Sequence, residues 1–143
     1  MRGWAMWRVI CAAGLAISLS AFQSHALERG TPVRLTSDEL SDIKESVAWD
    51  LKQSRAIDSD SPDRIKFGKI AGAKNSKGIT SLCGYLRIKE MDGSYSNDML
   101  FTGILSNYPS RLHNDRVLTG TLARTPESVA HTRTTCKMLG INI

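Results

Sequence analysis

The hydrophobic repeat of the chain changes near residue 65, and this change restricts the fold more than any other feature. Between residues 37 and 53, apolar side chains recur every three or four positions, which is the spacing of one helix face. Between residues 65 and 105, apolar and polar side chains alternate in short segments separated by turn-forming residues, a pattern typical of half-buried strands. A helix followed by strands with short connections predicts an α+β fold built on an antiparallel sheet. The helical row comprises Leu40, Ile43, Val47 and Leu51.

The ends of the helices are also marked in the sequence. Thr36 stands three residues before Glu39, which is the spacing of a capping box, in which each side chain accepts a hydrogen bond from the other residue's backbone N–H. We therefore predict an amphipathic N-terminal helix, Ser37–Gln53, packed on the sheet. A second, short helix is predicted to begin after Thr125 and to end at Gly140, because threonine followed by proline favours a helix start and glycine favours a helix end.

Turn residues divide the alternating region and its continuation into about four strands. The segments 75–78 (NSKG) and 91–94 (MDGS) contain the asparagine, aspartate and glycine residues that tight reversals prefer. Successive reversals of this kind join neighbouring antiparallel strands. The predicted strands are Ile65–Lys74, Ile79–Glu90, Tyr95–Leu105 and Arg116–Arg124.

The first 26 residues contain no acidic residue and have the pattern of a secretory signal peptide. Arg2 and Arg8 precede an apolar run at 9–22, and the small residues Ser24 and Ala26 occupy the −3 and −1 positions of a cleavage site. As a helix this run would be about 21 Å long, short of the roughly 30 Å hydrocarbon core, which argues against an uncleaved anchor. No other run approaches spanning length, so no transmembrane segment is expected in the mature chain. We expect a signal peptide at 1–26, an extended lead-in at 27–35 and a single α+β domain at 36–143, exported to the periplasm or the extracellular space.

Cleavage of the leader changes both the charge and the cysteine count. Removal of Arg2 and Arg8 lowers the formal charge from +5 to +3, and removal of Cys11 leaves two cysteines. An exported chain enters an oxidising compartment, where two cysteines allow one intramolecular pair. We predict a disulfide between Cys83 and Cys136 that ties the C-terminal helix to the sheet; the alternative is two free thiols.

The sequence supplies no motif for catalysis, a cofactor or a metal. Metalloprotease, nucleophile-elbow, P-loop and dinucleotide-binding patterns are absent. The aspartates that begin at Asp58 do not form a calcium loop, because its sixth and twelfth positions hold Asp63 and Lys69. We predict no catalytic, cofactor-binding or metal-ligating residue. A charge of +3 with acids and bases interspersed also gives no indication of nucleic-acid binding.

Several segments resemble one family of small secreted proteins. They are the helix LTSDELSDIKESVAWDLK, the strand RIKFGKI, the turn AKNSKG, the strand LCGYLRIK and the C-terminal CKMLGI. Together they are similar to small secreted proteins, common in alphaproteobacteria, with patterns such as DP-x-S-A-x-F and V-C-G-x-V-N-A-K-N. The similarity covers Thr36 to Ile143, and Cys83-Gly84-Tyr85 and Phe67-Gly68 are its most specific parts. The resemblance implies the same layout and an envelope location; the family has no assigned activity, so it implies no catalytic residue.

These observations favour a non-enzymatic binding or accessory protein of the bacterial envelope. Contact with a host, or virulence, is one context in which such a protein would act. The expected partner is an envelope or extracellular protein or an anionic polymer. The alternative is an inhibitor of, or an enzyme acting on, envelope polymers, with the loop histidine His113 as its candidate residue. The candidate binding surface is either the mixed face of the second strand or the loop 106–115. Its residues are Tyr85, Arg87 and Lys89 on the strand, and Tyr108 and His113 in the loop.

Overall fold

The computed structural model describes residues 28–54, 57, 62–106 and 117–143. The predicted leader at 1–26, and the candidate residues Tyr108 and His113, lie outside the described residues. The elements in chain order are β1 (Thr31–Val33), α1 (Ser37–Gln53), a 3-10 turn (Pro62–Arg64), β2 (Ile65–Lys74), β3 (Thr80–Ile88), β4 (Met99–Leu105), β5 (Val117–Ala123) and α2 (Pro126–Met138).

The sheet is antiparallel and its strands lie in the order β1-β2-β3-β4-β5. The α+β class and the meander are therefore confirmed, but within the described ranges the sheet has five strands and not about four. The additional strand is β1, in the predicted lead-in, where Thr31 pairs with Lys74 and Val33 with Gly72. Three residues are too few to show an alternating pattern, and Pro32, which lacks an N–H, is tolerated because β1 is an edge strand.

The predicted third strand also begins later than expected. The ladder of β4 starts at Met99, and Tyr95 makes only an isolated bridge with Lys89. The Ser96 hydroxyl accepts a hydrogen bond from the Ile88 N–H at 3.0 Å and so replaces a ladder partner. The connection between β3 and β4 is consequently longer than the turn at 91–94.

Helix α1 has the predicted bounds and the predicted capping box. The Glu39 N–H donates to the Thr36 hydroxyl at 3.2 Å, and the Thr36 N–H donates to the Glu39 carboxylate at 2.8 Å. The apolar face is weaker than predicted, because the helix is polar as a whole and Leu40 is only partly buried. Its buried contribution is one narrow row, Ile43, Val47 and Leu51.

The two helices pack on opposite faces of the sheet. Alternation along β3 sends Leu82 and Leu86 to the α1 face and Cys83 and Tyr85 to the α2 face. The α1 face holds the larger cluster: Ile43, Val47, Leu51, Ile57, Leu82, Leu86, Ile88, Phe101, Leu105 and Val117. The α2 face holds Ala73, Cys83, Leu100, Ala123, Cys136, Leu139 and Ile141.

A disulfide joins α2 to the middle strand of the sheet, as predicted. Cys83 on β3 and Cys136 on α2 are bonded, with their Cα atoms 6.3 Å apart, and both side chains are fully buried. After α2 the chain turns at Gly140, which has a φ of +84°, and the Leu139 carbonyl accepts a hydrogen bond from the Gly30 N–H at 3.0 Å. Across the described ranges, neither helix has the length and apolar character needed to cross a membrane.

Candidate binding surface

Helix α2 covers only part of its face of the sheet. It packs mainly against β4 and β5. A groove of about 260 Å³ is left open where β2 begins, β3 ends and β4 begins. We call it the Tyr85 groove; its lining includes Lys66, Gly68, Tyr85, Arg87 and Asp98.

Strand register brings two cations together in this groove. Lys66 on β2 lies directly opposite Arg87 on β3. Directly opposed residues project on the same face, and like charges in that arrangement are destabilising. Asp98, which immediately precedes β4, supplies the carboxylate beside them. The like charges of Lys66 and Arg87 therefore oppose folding, and the Asp98 carboxylate offsets part of this repulsion.

A bulge in β2 keeps the middle of the groove open. The pairing of β2 with β3 shifts between Phe67 and Ile70, which leaves Gly68 and Lys69 opposite Tyr85. A Cβ atom on Gly68 would lie 3.2 Å from the Tyr85 Cβ, closer than ordinary packing allows. Glycine at this position therefore avoids a contact with the tyrosine and leaves space above the strand.

Arg87 and Asp98 form an ion pair at the edge of the groove. The Arg87 Nε lies 2.6 Å from the Asp98 Oδ1, and both side chains are 50% exposed. The hydrogen bond from Arg87 is the main cause that lowers the pKa of Asp98, and the charges of Arg87 and Arg133 lower it further. The same hydrogen bond raises the pKa of Arg87. Both groups are therefore charged at neutral pH.

Two tyrosine rings in this region each have a cation close by. Arg133 on α2 donates from Nε to the Tyr85 hydroxyl at 3.1 Å, and its guanidinium lies 6.0 Å from the centre of the same ring. The Lys66 ammonium lies 5.8 Å from the centre of the Tyr95 ring, which is 43% exposed. Cation–ring attraction of this kind holds a positive charge against an aromatic face. The groove and its margin thus combine the cations of Lys66, Arg87 and Arg133 and the carboxylate of Asp98 with two tyrosine rings.

The structure brings together part of the surface predicted from the sequence. Tyr85 and Arg87 both line the groove. Lys89 does not line it; its carbonyl accepts hydrogen bonds from the Arg64 guanidinium at 2.8 and 3.1 Å, beyond the end of β3.

Four groups of this surface were not predicted from the sequence. Alternation along β2 could have placed Lys66 on the α2 face, but only if the register were known. Nothing in the sequence indicates that a side chain of the C-terminal helix reaches the second long strand. The four groups are Lys66, Tyr95, Asp98 and Arg133.

A second cleft, of about 370 Å³, lies between α1 and β5. Its charged groups are Asp50 and Arg124, one carboxylate and one guanidinium, so it has no clear preference for the charge of a ligand. The hydroxyl oxygen of Thr119, a lining residue, is buried with no hydrogen-bond partner among the described residues. The Tyr85 groove is the better candidate because its charges favour one class of ligand.

The groups around the Tyr85 groove are suited to recognition by charge and by ring contact. Guanidinium and ammonium groups bind carboxylate, sulfate or phosphate, and an exposed tyrosine offers a flat apolar face. In the described part of the chain, no three His, Cys, Asp or Glu side chains come together as a set of metal ligands. No family model, curated protein or solved structure matches this chain, so its own residues carry the functional argument.

Proposed function

We propose that the protein is an exported, non-enzymatic binding module of the bacterial envelope that holds an acidic polysaccharide in the Tyr85 groove. The observation that carries this proposal is the local excess of two positive charges, from Lys66, Arg87 and Arg133 against Asp98, beside exposed tyrosine. Export is the sequence-based part of the proposal and rests on the leader pattern at 1–26.

The size of the groove favours a polymer over a free small molecule. At about 260 Å³ it lies below the range of roughly 300–1,000 Å³ that is usual for small-molecule sites. A groove of this size accommodates one unit of a longer chain. Further units of the chain would then extend along the surface on either side.

The combination of aromatic rings with cations favours a sugar acid over an acidic peptide. One face of a pyranose ring presents C–H groups that pack on a tyrosine ring, while its carboxylate can accept hydrogen bonds from a guanidinium. Tyr95 is 43% exposed and Tyr85 is partly buried, so neither tyrosine is fully covered. An extended acidic peptide would use the cations but would not need the rings.

The first test compares polygalacturonate, a linear polymer of uronic acid, with dextran, a neutral polysaccharide. Binding to the mature protein would be measured by titration calorimetry. We expect binding of polygalacturonate alone, weakening as salt is raised from about 0.02 to about 0.5 M because exposed charges are screened. Equal binding of dextran, or no binding of polygalacturonate, would contradict the proposal.

A matched pair of variants locates the binding surface. Lys66→Gln removes a charge from the groove, and Lys44→Gln removes the same charge from an exposed position on α1. We expect Lys66→Gln to weaken binding about threefold, corresponding to an exposed charge contact of under about 1 kcal/mol. Lys44→Gln should bind as the wild type does. Equal affinities of the two variants would show that attraction depends on net charge and not on the groove.

The same samples distinguish the enzyme alternative. Its candidate residue, His113, lies outside the described residues. Polygalacturonate should keep its chain length after prolonged incubation with the protein, as measured by size-exclusion chromatography. Shortening of the polymer that is lost in His113→Ala would instead support an enzyme.

A further inference from the structure

We infer that Asp98 acts as a built-in competitor for the anionic group of the ligand, occupying Arg87 until a carboxylate of the polymer takes its place. This inference rests on the proposed function and concerns how the same groove selects its ligand. Asp98 would then set both the affinity of the groove and its preference for acidic over neutral sugars.

The geometry of the ion pair suits exchange. The contact joins the Arg87 Nε to the Asp98 Oδ1, and the terminal amino groups of the guanidinium have no hydrogen-bond partner among the described residues. Both side chains are 50% exposed, so water and solutes reach the pair. An exposed ion pair contributes little net free energy, because water solvates the separated charges nearly as well. A ligand carboxylate can therefore replace Asp98 without loss of a buried interaction.

The position of Asp98 in the chain also permits its release. Asp98 lies just before β4, whose ladder with β3 begins at Met99 paired with Leu86. Its side chain can turn away from Arg87 without breaking a strand pairing. The preceding connection is held independently, through the Ser96 contacts with Ile88.

The charges explain why an anion is needed to displace it. Asp98 is ionised at neutral pH, as an aspartate ordinarily is, and Arg87 and Arg133 lower its pKa further. It therefore repels a second anion until the two exchange. After exchange the ligand carboxylate faces Arg87, with Lys66 directly across on β2. A neutral sugar has no group that can replace Asp98, so Arg87 stays occupied.

The test is Asp98→Asn, which keeps the size of the side chain and removes its charge. We expect this variant to bind polygalacturonate about tenfold more tightly than the wild type and with a steeper dependence on salt. The matched control is Glu45→Gln, which removes one negative charge from an exposed position on α1. The control should bind as the wild type does; equal gains in the two variants would overturn the inference, because net charge alone would then explain them.

A double-variant cycle identifies the partner through which Asp98 acts. The gain from Asp98→Asn should disappear in an Arg87→Gln background, because the guanidinium that was released is no longer present. If the gain persists there, Asp98 does not act through Arg87 and the inference is wrong.

If the wild type binds and Lys66→Gln weakens binding while Asp98→Asn leaves it unchanged, the inference fails and the proposed function stands. If the wild type does not bind polygalacturonate, the proposed function itself fails.

Discussion

The two faces of the sheet are stabilised in different ways. On the α1 face, ten of the described hydrophobic residues are buried in one cluster that includes the large side chains of Phe101, Leu82 and Leu86. On the α2 face the buried cluster is smaller and includes Ala73 and Ala123, and only Thr132 and Cys136 of α2 are buried. Because burial of apolar surface is the main favourable term in folding, the smaller cluster on the α2 face contributes less to the stability of the fold. The covalent link from Cys83 to Cys136 lies on this weaker face.

This difference also explains where the candidate site lies. A face filled with large apolar side chains leaves no room for charged residues, which must stay hydrated. Helix α2 is bonded covalently to the sheet through Cys136 and covers only part of its face. The uncovered corner carries Lys66, Arg87 and Asp98 without burying them, as their exposure shows.

The largest expected effect comes from removing the disulfide. The variant Cys83→Ala/Cys136→Ala should lose on the order of 4 kcal/mol of unfolding free energy, because a loop spanning 53 positions is no longer closed in the unfolded chain. Chemical denaturation of oxidised wild type, reduced wild type and the variant would measure this, and titration of the denatured, oxidised chain 27–143 should find no free thiol. If the variant is as stable as the oxidised wild type, the α2 face does not depend on its covalent link.

An intermediate effect is expected from crowding the α1 face. Gly84→Ala would place a Cβ atom 2.5 Å from the Phe101 Cζ and 3.0 Å from the Ile70 Cγ1. Phe101 is only 1% exposed and cannot move aside freely, so we expect a loss of about 1–3 kcal/mol in unfolding free energy. Phe101→Leu makes room for the added methyl group, and the double variant should therefore lose less than the sum of the two single variants. Strictly additive losses would show that the ring and the glycine are not in contact.

The smallest effects compare the caps of the two helices. Thr36→Ala removes the cap of α1 and Thr125→Ala removes the cap of α2, and each should cost about 1 kcal/mol by thermal or chemical denaturation. Ser41→Ala, an exposed change within α1, serves as the control and should stay within about 0.5 kcal/mol of wild type. In the variant without the disulfide, Thr125→Ala should cost more than in wild type, because α2 then depends on its own ends. An unchanged cost would mean that the disulfide and the cap stabilise α2 independently.

The parts of the fold that local chemistry marks were predictable. The start of α1 follows from the Thr36 capping box, and the bounds of β2 follow from its alternation and the turn after it. The edge strand β1 was not predictable, because three residues pair only when β2 is already in place. Tyr95 was assigned to a strand because its spacing matches that of Met99, but the Ser96 hydroxyl takes the place of a ladder partner.

The sequence by itself determined the two helices, the four longer strands, their antiparallel order and the pairing of Cys83 with Cys136, because capping and alternation are local properties and two cysteines remain outside the predicted leader. It also placed Tyr85 and Arg87 on one face, since residues two apart in a strand project to the same side. Only the tertiary structure decided which charges surround them. The position of Lys66 depends on the register of β2, and the position of Asp98 depends on where β4 begins. The position of Arg133 depends on how α2 packs on the sheet. These contacts join residues distant along the chain, and no spacing in the sequence encodes them.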